Sequence, residues 1–172
     1  MTPNITSRIV VLGSDITKLA VDAIVNAANN QMRGGGGVDG AVHRAAGPDL
    51  LAECIKVGRC PTGEARITGG YKLLARHVIH TVGPFHHGHP GEAELLRSCY
   101  RESLRLAEQA GVETIAFPCI STGVYEYPKD EACDIAVSTV IEWLAMHELP
   151  KVVTFCCFGN DDVELYTARL KA

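Results

Sequence analysis

The sequence has no apolar run near the ~18–20 residues that a membrane-spanning helix needs, and no block of Lys or Arg. The first absence argues against a membrane span. The second, with a formal net charge of -4 over 172 residues, argues against a nucleic-acid partner, because non-specific duplex binding rests on clustered basic charge. The seven cysteines (Cys54, Cys60, Cys99, Cys119, Cys133, Cys156 and Cys157) include no C-x-x-C pair, so the usual zinc-ribbon and thioredoxin signatures are missing. An odd count, with two cysteines inside an apolar segment, reads as reduced and mostly buried thiols in a reducing compartment. Met1 to Arg8 is polar and lacks the apolar core of a secretory leader, which makes the cytoplasm the expected location. No repeat, linker or low-complexity stretch stands out. One weak spot is the His/Gly/Pro-rich loop from His86 to Gly91.

What is present suits a globular fold. Hydrophobic residues make up 47% and charged residues 21%, and the length fits one domain over residues 1–172. Short β-branched runs alternate with helical patterns. Strands are expected at Arg8–Leu12, Asp22–Asn26, Ala65–Gly70, His77–Val82, Thr114–Pro118 and Val152–Phe158. The last two are apolar enough to be buried on both faces. Helices are expected at Val38–Ala46, at Asp49–Val57 behind Pro48, at Glu92–Ala110 ending on Gly111, at Lys129–His147 and at Asp161–Leu170. This alternation predicts a layered α/β domain.

Two loops place small or polar residues just after a strand, where ligands of α/β sheets bind. The first is Asn26-Ala27-Ala28-Asn29 followed by Gly34-Gly35-Gly36-Gly37-Val38-Asp39-Gly40. Four consecutive glycines weaken a fold through lost backbone entropy, unless side chains there would block a ligand. A helix starting near Val38 would aim its free N–H groups at the same point, and phosphate is the natural occupant. A plain flexible loop is the competing reading. The literal G-x-G-x-x-G at Gly35, Gly37 and Gly40 is weak as a Rossmann fingerprint, because Asn29 to Arg33 intervene after the strand, and no Gly-Lys-Ser/Thr completes a Walker motif. Asp39 either complements the helix N-terminus or holds a water. The helix end lowers its pKa and burial raises it. His43 lies one turn on, within reach of Asp39, or is simply a half-buried histidine. Asn26 and Asn29 offer amides, or ordinary turn chemistry. The second loop, Ser121-Thr122-Gly123-Val124-Tyr125, adds hydroxyls, a glycine and an aromatic face, or is a tight connection with aromatic packing.

Taken in order, Ser14-Asp15-Ile16-Thr17, Val25-Asn26-Ala27-Ala28-Asn29, the Gly34–Gly47 stretch, Pro61-Thr62-Gly63-Glu64-Ala65, His80-Thr81-Val82-Gly83-Pro84 and Ser121-Thr122-Gly123-Val124-Tyr125 resemble a MacroD-type macrodomain over about Ile9 to Leu170. The resemblance implies a three-layer α/β/α fold with a central mixed, mostly parallel sheet. It also implies ADP-ribose as ligand. Asp15 would receive the adenine amino group, Ile16 would contact the ring through its backbone and Phe158 would stack on it. Gly35, Gly36, Gly37 and Val38 would grip the diphosphate from one side. Ser121, Thr122, Gly123, Val124 and Tyr125 would grip it from the other, with Tyr125 beside the distal ribose. Asn26 belongs to the same ligand-binding set. Asn29 would contact the distal ribose, Asp39 would hold the attacking water and His43 would support Asp39. The implied partners are ADP-ribose, its acyl esters and mono-ADP-ribosylated proteins, with no cofactor and no metal. Glu126 departs from the family's glycine, which costs strain of about 1 kcal/mol or more if that position needs φ > 0.

Four functions compete. A hydrolase of acyl-ADP-ribose esters needs both Asn29 and Asp39. A reader that binds ADP-ribose without turnover would use the same pocket. A nucleotide-dependent dehydrogenase rests on the literal glycine pattern alone. A cysteine enzyme or metal protein would rest on Cys119 or on His86, His87 and His89, which lack a base partner and ligand spacing on a rigid element.

Overall fold

The structure, a computed structural model, describes residues 4–171. Strands β1 (Ile9–Gly13), β2 (Ala23–Ala27), β3 (Ala65–Gly69), β4 (His77–Thr81), β5 (Thr114–Phe117) and β6 (Val152–Cys157) form one sheet in the order β1-β6-β5-β2-β4-β3. Every pairing is parallel except that of β3 with β4. Helices α1 (Gly37–Ala46) and α2 (Pro48–Val57) cover one face. The other carries α3 (Glu92–Gln109), α4 (Lys129–Met146) and α5 (Asn160–Lys171). The mixed, mostly parallel sheet between two helical layers matches the expected architecture.

The period of two along each strand divides the core. Ala23 and Val25 of β2 pack with Leu96 and Tyr100 of α3 and Val137 and Val140 of α4. Ile24, between them, packs with Val42 of α1 and Leu50 and Cys54 of α2. Both β5 and β6 are buried from their second residue onward, because helices cover both of their faces.

Element boundaries fall within two residues of the sequence expectation. β1 begins at Ile9, because Arg8 closes a 3-10 turn. The Arg8 guanidinium donates to the carbonyls of Leu144, His147, Glu148, Pro150 and Lys151, where a cation also complements the C-terminal end of α4. β6 stops at Cys157, which leaves Phe158 outside the sheet.

The β2–β5 ladder is short, with only Ala23 opposite Ile115 and Ile24 opposite Ala116. Past that point the chain leaves β2 for α1 on one face and leaves β5 for α4 on the other. Divergent crossovers of this kind open a crevice at the C-terminal strand ends.

Candidate active site

A cavity of about 400 Å³ occupies that crevice. One wall is Asn29 with the Gly35–Asp39 segment, and the facing wall is Ser121 with Gly123–Tyr125. Gly36 caps α1 without any side-chain cap bond, so the first N–H groups of the helix are left for a ligand. A Cβ on Gly36 or Gly37 would meet nothing within 4 Å, and Gly37 has φ 57°. Gly40 differs, since a Cβ there would collide with the Gly35 carbonyl.

The second wall is strained. Ser121 and Glu126 are non-glycine residues at φ 67° and 59°. The turn is closed by Glu126 N–H to the Gly123 carbonyl at 2.9 Å and Tyr127 N–H to the Ser121 carbonyl at 2.8 Å. The position of the missing glycine does need φ > 0, so the strain foreseen for Glu126 is present. Ser121 Oγ is buried without a partner. Gly83, after β4, closes the bottom of the cavity, and a Cβ there would collide with Ser121 Oγ. Tyr125 is stacked on Phe85 with centroids 3.8 Å apart, and its carbonyl accepts from His86 N–H at 2.9 Å. The His86–Gly91 loop is in turn held by the carboxylate of Glu92. That group accepts from the N–H groups of His87 and His89 and sits 3.1 Å from His86 Nδ1.

Asp39 is 5% exposed. Its Oδ1 accepts from Asn26 Nδ2 at 2.8 Å, and its Oδ2 has no protein partner. Oδ2 lies beside Gly35, near Asn29 Nδ2. Of the two opposed influences on its pKa, burial wins: desolvation raises it, against the Asn26 bond and the His43 ring, which lower it. His43 Nε2 stands 3.5 Å from Oδ1 and makes no hydrogen bond, so it contributes by proximity alone. Asn26 is fully buried behind the cavity and turns its amide to Asp39, away from the ligand space. Asn29 lines the cavity and donates to the Gly34 carbonyl at 2.9 Å.

A second group of expected residues sits at the far edge. β1 and β6 pair with Gly13 opposite Cys157, so Asp15 and Phe158 both lie just past the ends of neighbouring strands. Asp15 caps the 3-10 turn Ile16–Lys18, and its Oδ1 accepts from the Thr17 N–H and hydroxyl at 3.0 and 2.7 Å. The two Thr17 bonds hold its carboxyl below the ordinary range. Ile16 is buried, and Phe158 is 97% exposed, a bare ring just past β6.

The Macro domain family model matches residues 25–136. The chain belongs to the macrodomain family. It is 59% identical over 160 residues to a macro domain-containing protein of Chlorobaculum tepidum, covering 92% of this chain and 93% of that one. It is 53% identical over 169 residues to the O-acetyl-ADP-ribose deacetylase of Escherichia fergusonii, covering 95% and 96%. Among solved structures it is similar to the Trypanosoma brucei macrodomain in complex with ADP-ribose, with TM-score 0.90, 45% identity and coverage of 95% and 69%.

This macrodomain thus brings Asn29, Gly35–Asp39, Ser121 and Gly123–Tyr125 to one cavity, while Asp15, Ile16 and Phe158 lie past the ends of β1 and β6, outside its lining. Asn26 and His43 stand behind Asp39, and Thr122 spends its hydroxyl on the Cys119 carbonyl at 3.1 Å. Sequence reasoning missed the bottom of the cavity. Gly83 and Ile120 belong to it, beside Cys119, which the sequence offered only as a weak cysteine-enzyme candidate and whose pKa is lowered by the neighbouring Cys157 thiol. It also gave His80 no role, though the ring lies directly behind Asn26. The signal was a histidine inside an apolar strand run.

Proposed function

We propose that this macrodomain hydrolyses acyl esters on the distal ribose of ADP-ribose. The substrates are free O-acetyl-ADP-ribose and the ester that joins mono-ADP-ribose to Asp or Glu side chains of proteins. One observation carries this reading: a buried carboxylate oxygen, Asp39 Oδ2, left without a partner beside Asn29 in a cavity rimmed by free helix amides. The ligand named for the Trypanosoma brucei structure and the activity named for the Escherichia fergusonii relative support it.

Asp15 receives the adenine amino group, the Ile16 backbone contacts the ring and Phe158 stacks on it. The diphosphate lies across the α1 amides, where Gly36 and Gly37 leave room, and is clasped from the other side by the Ser121–Tyr125 turn. Asn29 and Tyr125 hold the distal ribose. Asp39 Oδ2 accepts a hydrogen bond from a water that attacks the acyl carbon, with a diphosphate oxygen of the ligand steadying the same water. Asp39 takes the water's proton as the new C–O bond forms. It returns that proton to the ribose oxygen as the acyl C–O bond breaks, releasing ADP-ribose and a carboxylic acid. A carboxylate whose pKa is raised by burial is a better proton acceptor near neutral pH than a solvated one.

The test is release of ADP-ribose from O-acetyl-ADP-ribose in the presence of a chelator, with Asp39→Ala alongside. The expected outcome is turnover by the wild type and a loss of about 10²–10⁴-fold in the variant, with ADP-ribose still bound. Binding without any release by the wild type would leave a non-catalytic reader instead.

A further inference from the structure

We propose that His80 is a positioning residue for Asp39: its Nδ1 holds the Asn26 amide in the one orientation that offers an N–H to the Asp39 carboxylate. This rests on the proposed hydrolase reading for its effect on turnover, and on geometry alone for its effect on Asp39.

Asn26 and His80 are register partners on the parallel strands β2 and β4, and both are fully buried. The Asn26 amide nitrogen is 2.8 Å from Asp39 Oδ1 and 3.2 Å from His80 Nδ1, so its two hydrogens serve two acceptors. A flipped amide would set an oxygen against a carboxylate oxygen. His80 prevents that flip only while Nδ1 carries a lone pair, which puts the ring proton on Nε2. There Thr68 Oγ1 lies 3.0 Å away and accepts it. The Thr68 hydroxyl is itself committed to the Gly69 carbonyl at 3.1 Å. A backbone carbonyl cannot donate, so donation runs one way, from Asn26 to His80 to Thr68 to Gly69.

A charged His80 would make Nδ1 a donor and break the chain. Burial, with the His43 ring nearby, pushes its pKa down to about 3, so the ring is neutral near neutral pH. His80 has no access to the cavity, and neither has Asn26; their influence passes through Asp39. The other groups facing Asp39 are His43 on α1, Cys54 on α2 and Tyr125 from the second loop. None of them orients the Asn26 amide.

The experiment compares wild type, His80→Phe and His80→Asn. The phenylalanine ring fills the space without an acceptor, and the asparagine carbonyl restores one at the Nδ1 position. Two readouts are taken: kcat and KM for O-acetyl-ADP-ribose across pH, and the titration midpoint of the Asp39 carboxyl by ¹³C NMR. In His80→Phe we expect kcat to fall roughly ten-fold or more, KM to change by less than about two-fold, and the Asp39 midpoint and the acid limb of kcat to move to higher pH. His80→Asn should recover most of kcat and return the midpoint toward that of wild type. A His80→Phe protein that binds ADP-ribose normally and titrates Asp39 at the wild-type midpoint overturns the proposal. If the ring substitution unfolds the chain, Thr68→Val carries the test. Removing the Thr68 acceptor leaves Nε2 facing only the Cys54 Sγ at 3.8 Å and lets the tautomer change, so the same upward shift is expected in smaller measure, and an unmoved midpoint again overturns the idea. A wild type without turnover whose Asp39 midpoint still responds to His80 would sink the hydrolase reading and leave the positioning role standing.

Discussion

Asp39 and Glu92 are both carboxylates in the first turn of a helix, and both are withdrawn from water, at 5% and 8% exposure. They are held in opposite ways. Glu92 sits shallowly under its own loop, with main-chain donors from His87 and His89 and the His86 ring around it. Burial works to raise its pKa, but the His89 and His87 N–H groups and His86 outweigh it and the result is a lowered value. Asp39 has one side-chain donor, an imidazole just out of hydrogen-bond range and an oxygen with nothing to accept, and its pKa is raised. Burial alone does not decide what a carboxylate does; the number of donors aimed at it does. A fully supplied carboxylate belongs to the fold, and an undersupplied one is available to a substrate or a water.

The sharpest way to break this contrast is to neutralise each group in turn. Asp39→Asn should cost about 10²–10⁴-fold in kcat while leaving the melting temperature unchanged or higher, since a desolvated charge has been removed. A large loss of stability would mean that Asp39 is structural after all. Glu92→Gln should do the reverse, lowering the melting temperature clearly and kcat much less, with any kinetic effect arriving through the His86–Tyr125 contact.

The pH dependence of stability should also carry opposite signs. Glu92, with its pKa lowered from the usual 4.5, stabilises the fold fully above pH 4.5, and that stability is lost as pH falls through the lowered value. Asp39, with its pKa raised from 3.8, favours the folded state most below pH 3.8, and that advantage is lost as pH rises through the raised value. Denaturant melts of wild type and the two neutral variants across pH 3–7, a window chosen to span roughly both transitions, would reveal the two slopes. Parallel slopes would remove the distinction.

The same division between fold and ligand runs through the glycines. Gly40→Ala drives a Cβ into the Gly35 carbonyl and should cost about 1–3 kcal/mol of stability. Gly36→Ala meets no protein atom, so the melt should hold while ADP-ribose affinity, read by calorimetry, falls. The smallest effect is expected at Glu126→Gly. Relief of its left-handed backbone should add about 1 kcal/mol of stability, measurable as a shift in denaturant midpoint.

Much of this was legible from local pattern. The strand and helix positions follow from apolar periodicity, Pro48 and Gly111, and the two loops from their composition. The strain at Glu126 follows from the glycine it replaces. What was not legible depends on register and depth. Nothing in a β-branched run announces that Asn26 and His80 will lie side by side, because register is settled by the neighbouring strand. The direction of the Asp39 pKa depended on how much of α2 and the second loop closes over it. Asn26 was expected at the ligand for the same reason: position after a strand says that a side chain is near the crevice, and only the pleat says which way it turns.

The first strand of the sheet pairs with the last. Among the described residues β1 has only β6 as a neighbour, and the Arg8 side chain just before β1 is satisfied by carbonyls from Leu144 to Lys151. During synthesis, therefore, Arg8 and β1 emerge with neither their strand partner nor their acceptors. β1 must wait until β6 has been synthesised before its edge of the sheet can close. The edge of the sheet that carries Asp15 beyond β1 and Phe158 beyond β6 is accordingly completed only after β2 to β5 are in place.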